Sequence, residues 1–291
     1  KGMNSTNRPT RSEQREAARA KAKALREQHK RQEKARKFAI RLGVVGAVLG
    51  VAAIVVVAIV GGLNGGSENG ASNGDSKPKN MSFGNGIKIG AGLEAFTATN
   101  TPAPTPSDGS TEAPTPTEIV IYVDYQCPIC KIFETPNIAQ IESWVSSGAA
   151  TLEVHPLSFL DGRGSPNEYS SRAANAAVCV AEYSPNNFFK FNSLLFENQP
   201  QEGTPGPEND ELIARTVEAG VSNADQIATC INEKTFGGWI KTITDEEIAA
   251  QGAGFGTPAI FVNGQPYPYQ TAEELANPAR FAQFVQSVTV G

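Results

Sequence analysis

The apolar run from Leu42 to Leu63, LGVVGAVLGVAAIVVVAIVGGL, holds 22 residues without a charge or a strongly polar side chain. At about 1.5 Å per residue, a helix of that length crosses the ~30 Å hydrocarbon core of a bilayer. A helix buried in a globular core keeps a polar stripe, and this run has none. A cleaved signal peptide has a shorter apolar stretch and a shorter basic prefix, so the pattern predicts a transmembrane signal-anchor helix over 42–63.

Beyond it the periodicity changes. Residues 64–85 read as a flexible polar linker, ending in turn-forming Gly and Asn. The stretch SFGNGIKIGAGLEAFTA, with Ile87 and Ile89, predicts a short strand or hairpin. Residues 100–117 form a Pro/Thr/Ser tract, expected as an extended surface loop inside the domain; the alternative starts the folded part near Thr117. EIVIYVDY, from Glu118, suits a buried strand, and KIFETPNIAQIESWVSSG has helical spacing with Pro136 set to kink it. A second strand is expected over Ala150–Leu160. Residues 166–251 read as helices separated by Pro, Gly and Asn. A third strand over Pro258–Asn263 turns at Asn263-Gly264 toward a fourth over Gln265–Tyr269, and a last helix spans about Ala272–Val288. The order predicts an α/β domain over 86–291 with a helical insertion over about 161–252.

Charge adds an orientation. Residues 1–41 carry 14 Lys/Arg against 4 Glu, whereas 64–291 carry 11 Lys/Arg against 26 Asp/Glu. The basic segment flanking the apolar run is expected to stay cytoplasmic and the acidic domain to face outward. No aromatic residue is interleaved with the basic ones before Phe38, which argues against a nucleic-acid partner, while anionic lipid headgroups suit the charge.

The four cysteines, Cys127, Cys130, Cys179 and Cys230, all fall on the outward side. Cys127-Pro128-Ile129-Cys130 sits where a strand ends and a helix begins. Two intervening residues in a first helical turn bring the sulfurs within bonding reach. Cys127 would lie at the helix N-terminus, where free backbone N–H groups and the dipole favour a thiolate. Pro128 suits the first helical position, which needs no N–H. Cys130, one turn in, is the natural resolving thiol. A zinc half-site would need two more ligands at Cys or His spacing, and His29 and His155 are the two histidines. An inert structural disulfide is the other alternative, and the strand–CxxC–helix setting favours redox chemistry over both. Cys179 and Cys230 lie among apolar neighbours in helical segments; a stabilising bridge, two free buried thiols and a second redox pair are the readings open to them.

DYQCPICKIF after a hydrophobic strand, with GTPAIFVNG about 130 residues later, resembles the DsbA-like branch of the thioredoxin superfamily from about Gly86 to the C-terminus. The resemblance implies a thioredoxin-like fold and protein thiol–disulfide oxidoreductase activity. It implies a cis bond before Pro258, substrate peptide meeting the backbone of Thr257, and close approach at Gly256. Some relatives bridge their helices in the manner open to Cys179 and Cys230. One departure is Ile129, where strongly oxidising members carry a His that helps hold the thiolate. Ile129 offers neither charge nor hydrogen bond, and suits contact with apolar substrate or a cover for the sulfurs.

Around the motif, Asp124 is placed to shuttle protons or to stabilise a turn, and as a carboxylate it opposes thiolate formation if close. Lys131 and Glu134 read as solvated helix residues and His155 as a satisfied structural histidine. Phe188, Phe189, Phe191 and Phe196 read as core, with Trp144 and Trp239 as packing residues. The expected function is dithiol–disulfide exchange on exported, cysteine-containing polypeptides. Cys127 attacks or is attacked, and Cys130 resolves the mixed disulfide. The resemblance adds reoxidation by a quinone-linked membrane partner; no organic or metal cofactor is implied. The rivals are a reductase or isomerase of exported disulfides, kept open by Ile129, and a non-enzymatic cell-surface peptide-binding module.

Overall fold

The structure, a computed structural model, describes residues 76–81, 84–100, 115–163, 165–252 and 254–289. The expected cytoplasmic segment 1–41, the apolar span 42–63, most of the linker and the Pro/Thr tract over 101–114 lie outside these residues. Among the described residues no helix is long and apolar enough to cross a membrane.

Five strands, β1 (Ile87–Ile89), β2 (Thr117–Val123), β3 (Ala150–Pro156), β4 (Ala259–Val262) and β5 (Gln265–Pro266), form one sheet in the order β1-β3-β2-β4-β5. β2 and β3 run parallel, from Thr117 opposite Ala150 to Val123 opposite Pro156. The other neighbours are antiparallel. β2 alternates buried and half-buried positions, whereas β3 is buried throughout, as a central strand covered on both faces must be. The parallel pair needs a crossover, and helix α1 (Pro128–Ser146) supplies it. The register therefore fixes where α1 begins: at the carboxyl end of β2.

The insertion is built from α2 (Tyr169–Tyr183), α3 (Phe188–Glu197), α4 (Asn209–Glu218), α5 (Ala224–Asn232) and α6 (Gly237–Gln251). α2 is its axis: Ala173, Ala174, Ala176, Ala177 and Cys179 are fully buried, and small side chains let neighbouring helices approach. Phe188, Phe189, Phe191 and Phe196 are all core. Cys179 and Cys230 are bonded, joining α2 to α5 across a sequence separation of 51.

Several expected boundaries move for identifiable reasons. The strand expected to reach Leu160 ends at Pro156, where Leu157 gives its N–H to Val123 O (2.8 Å) and the chain turns. The fourth strand ends at Pro266 instead of Tyr269, since Pro268 has no N–H to continue a ladder. The last helix divides into α7 (Ala272–Leu275) and α8 (Pro278–Thr289). Pro278 cannot donate into a continuous helix, and Asn277 Oδ1 accepts from Arg280 N (3.1 Å) to open the second. α1 continues through Pro136 as one helix. Beside that proline, the buried Asn137 donates its side-chain amide to Phe133 O (2.8 Å) and Leu275 O (3.3 Å). The linker expected through residue 85 already packs by residue 79. Lys79 N reaches Glu182 Oε2 (2.7 Å), Asn80 Nδ2 reaches Ala181 O (3.0 Å), and Met81 is fully buried.

Removing the Cys179–Cys230 bond frees a loop of 51 residues in the unfolded chain. Chain entropy sets the cost at about 4 kcal/mol, so the Cys179→Ala/Cys230→Ala double variant is expected to unfold in urea with that loss. A loss below about 1 kcal/mol would mean the bond contributes little to the insertion.

Candidate active site

β2 ends at Val123 and Asp124–Gln126 turn the chain so that Cys127 becomes the N-cap of α1, with φ −73° and ψ 116°. The Cys127 N–H closes this turn on Asp124 O (3.0 Å). Pro128 occupies the first helical position, and Cys130 N–H donates to Cys127 O (3.1 Å). Both cysteines are free thiols; Cys127 is 7% exposed and Cys130 1%. Opposite them, the Thr257–Pro258 peptide bond is cis, and Thr257 O accepts from the Cys127 thiol at 3.2 Å. Tyr269 OH donates to Pro258 O (3.0 Å) and ties this loop down. Cys127, Pro128, Ile129, Cys130, Thr257 and Pro258 thus form one site. Cys179 and Cys230 are engaged with each other, not with the CPIC pair.

The two sulfurs are driven apart electrostatically. The Cys130 thiol donates to Cys127, and the Cys130 and Ile129 backbone N–H groups add to that; together they outweigh burial and bring Cys127 from 9.0 down to about 7. Burial pushes Cys130 well above 9.0, with its hydrogen bond to Cys127 and the charge there adding to the rise. One sulfur is therefore a nucleophile near neutral pH and the other stays a thiol.

Asp124 is fully buried, and it stabilises the turn into α1 as expected while also reaching beyond it. It accepts from Gln126 N, Ser170 Oγ and Leu160 N, each at 2.8 Å, and so pins the end of β2 to the loop after β3 and to α2. Burial lifts its pKa to about 6, against the pull of those hydrogen bonds. Glu134 is likewise buried, not on the surface as helical spacing suggested. Asn192 Nδ2 donates to it (2.7 Å) while Asn192 Oδ1 accepts from Tyr125 OH (2.9 Å). The insertion closes over this face of α1, which the spacing of α1 alone cannot show. Lys131 gives its Nζ to Glu197 O (3.1 Å). His155 pairs with Glu153 (2.8 Å) and stacks on Tyr122, away from any contact with the cysteines. A side chain added at Gly256 would meet nothing nearer than Phe159 at 4.0 Å, so no part of the chain fills that approach.

Gln199 and Tyr269 escaped sequence reasoning. Gln199 Nε2 donates to Cys127 O (2.9 Å) from 72 residues away, and nothing in its local sequence marks it. Ile129, between the two cysteines in sequence, is 37% exposed.

The thioredoxin family model matches residues 103–284. The chain belongs to the thioredoxin family. Among similar solved structures is the reduced disulfide bond oxidoreductase DsbG from Mycobacterium tuberculosis, 27% identical with TM-score 0.55, covering 72% of this chain and 88% of that one. Reduced DsbA from the same organism is 27% identical with TM-score 0.53, covering 71% and 92%. Both of these solved neighbours are disulfide oxidoreductases. The serine/threonine-protein kinase PknE of M. tuberculosis is 29% identical over 167 residues, 55% of this chain but 29% of the kinase. The chain therefore spans less than a third of that curated relative's length.

Burial lifts the Glu134 carboxyl from 4.5 to about 7. Its folded pKa is the higher one, so the stability it confers is complete below about 4.5 and is lost as the pH rises through 7; the loss is about 3 kcal/mol. Glu134→Gln keeps an acceptor for Asn192 and removes the titration. Urea denaturation is expected to show the variant equal to wild type near pH 4 and more stable by up to about 3 kcal/mol at pH 8. Parallel stability–pH curves for the two proteins would exclude a buried, titrating Glu134.

Proposed function

We propose that this chain is a membrane-anchored, extracytoplasmic oxidoreductase of DsbA type that introduces disulfides into exported proteins. The observation that carries this reading is the opposed pair at the start of α1: a lowered Cys127 thiol over a buried, raised Cys130, facing a cis-proline loop. In the oxidised enzyme a substrate thiolate attacks Cys127 Sγ, the Cys127–Cys130 bond breaks, and Cys130 leaves with the electron pair and takes a proton. A second substrate thiolate then attacks the substrate sulfur of the mixed disulfide. The substrate disulfide forms, Cys127 departs as a thiolate, and two electrons have passed to the CPIC pair. The backbone beside Pro258 is the edge along which an extended peptide would pair, with Ile129 as an apolar contact.

The same energetics support the oxidising direction. Lowering a thiol from 9.0 to about 7 favours the reduced pair increasingly as the pH rises through 7, reaching about 3 kcal/mol only above pH 9. That full shift corresponds to a reduction potential about 60 mV above an unperturbed dithiol, of which only a small part is present at pH 7. The reductase or isomerase reading rests on Ile129, which leaves the thiolate without a side-chain cation at the third motif position. The apolar run 42–63 and the basic segment 1–41 support anchoring with the domain outside, where a quinone-linked membrane partner would accept the electrons.

Two outcomes test this reading. Cys130→Ala in living cells is expected to accumulate mixed disulfides between Cys127 and exported proteins; efficient trapping with none would favour a peptide-binding module. In equilibrium with glutathione, Ile129→His is expected to make the pair more oxidising by about 30 mV or more, since an imidazolium beside the sulfur favours the thiolate. An unchanged equilibrium would mean that position 129 does not face the sulfur.

A further inference from the structure

Buried polar side-chain atoms without a hydrogen-bond partner mark places where a ligand or water belongs. One such atom among the described residues, Gln126 Oε1, belongs to the residue before Cys127. Two others, Arg172 Nη2 and Asp161 Oδ1, belong to residues that line a second cavity of about 630 Å³, within the usual range for small-molecule sites. It lies between the loop after β3, the start of α2 and the start of α6, and the Phe159 ring separates it from the cis-proline loop at Gly256.

Four of the charged residues lining it form ion pairs and three do not, among the described residues. Lys234 pairs with Glu168 (3.5 Å) and Lys241 with Asp245 (2.7 Å). Arg163 lies over the Phe159 ring. Arg172 is 6% exposed, and its hydrogen bonds go only to neutral acceptors: Asn167 O (3.0 Å), Pro207 O (2.8 Å) and Asn209 Oδ1 (3.2 Å). Neither Arg172 nor Asp161 enters an ion pair among the described residues. The guanidinium also lies 5.7 Å from the Tyr169 ring, and with no anion beside it one nitrogen, Nη2, is left to receive a carboxylate oxygen. The start of α6, at Gly237 and Gly238, adds a lining that favours negative charge. Asp161 lines the same cavity, and its Oδ2 accepts from Ser171 N (3.1 Å).

We propose that this cavity binds a small zwitterion, a free amino acid or a short peptide, with its carboxylate on Arg172 and its ammonium on Asp161. The site is distinct from the redox pair and takes no part in the exchange chemistry. A ligand seated here would bear on Phe159 and the loop that Asp124 grips through Leu160 N, and so on the wall of the peptide-binding edge.

Calorimetric titration of the full-length chain with glycine, triglycine and N-acetyl-triglycine amide tests this. Saturable millimolar or tighter binding is expected for at least one zwitterion, and the doubly blocked peptide should bind at least about tenfold more weakly. Preference for glycine or for triglycine tells the two sources apart. Asp161→Asn, which retains an acceptor for Ser171, should abolish the preference for a free ammonium. Arg172→Lys should weaken binding about tenfold or more. Absence of saturable binding by either zwitterion, equal binding of the blocked peptide, or an unchanged preference in folded Asp161→Asn would each overturn the proposal. The free-against-blocked comparison needs no variant, so a misfolded Arg172→Lys leaves the test intact.

Discussion

The hydrogen bond from the Cys130 thiol to the Cys127 sulfur, reinforced by the first backbone N–H groups of α1, decides how much charge Cys127 holds at neutral pH. An N–H at a helix start is a fixed donor that costs nothing to reorient as charge develops, which is why the strand-to-helix junction is where such a sulfur can be ionised. Cys130 supplies its share only while it keeps its proton. Burial at 1% exposure guarantees that, because desolvation keeps it neutral well past the pH at which Cys127 ionises. The asymmetry between attacking and resolving sulfur is thus a difference in depth within a single turn of helix.

Depth in turn depends on what covers the turn. Asp124, fastened to the loop after β3 and to α2, locks the end of β2 against the insertion, while Gln199 holds the Cys127 carbonyl from the connection after α3. The helical block does more than enlarge the domain: it buries Glu134 and Cys130 and leaves Ile129 and the cis-proline loop as the accessible side. Two buried carboxylates without cationic partners are an odd feature of so small a region. Their raised pKa values show that the fold carries an electrostatic cost there, and part of it appears as the raised Cys130 thiol.

Local pattern carried much of this. The β-branched and aromatic run of β2 and the CPIC spacing were enough to place the junction, because each depends on residues adjacent in sequence, whereas the loop facing it was implied only by the resemblance. Boundaries failed where proline acted one or two positions away, at Pro156, Pro268 and Pro278. Burial failed where coverage came from distant chain: Glu134 has the spacing of an exposed helical residue and is enclosed by Asn192, 58 positions on. The sequence also pointed to the helix start as the source of thiolate stability, and gave no hint that the neighbouring thiol contributes more. Arg172 and Asp161 drew no notice at all, since a lone arginine in an alanine-rich helix looks like solubility.

The most direct test of the account is the ultraviolet thiolate absorbance of the fully reduced protein as a function of pH, in wild type and in Cys130→Ala. One thiol should ionise with a midpoint near 7 in wild type, and the midpoint should move up toward that of ordinary cysteine once the Cys130 donor is gone. A wild-type midpoint already in the range of free cysteine, or one that Cys130→Ala leaves in place, would contradict it.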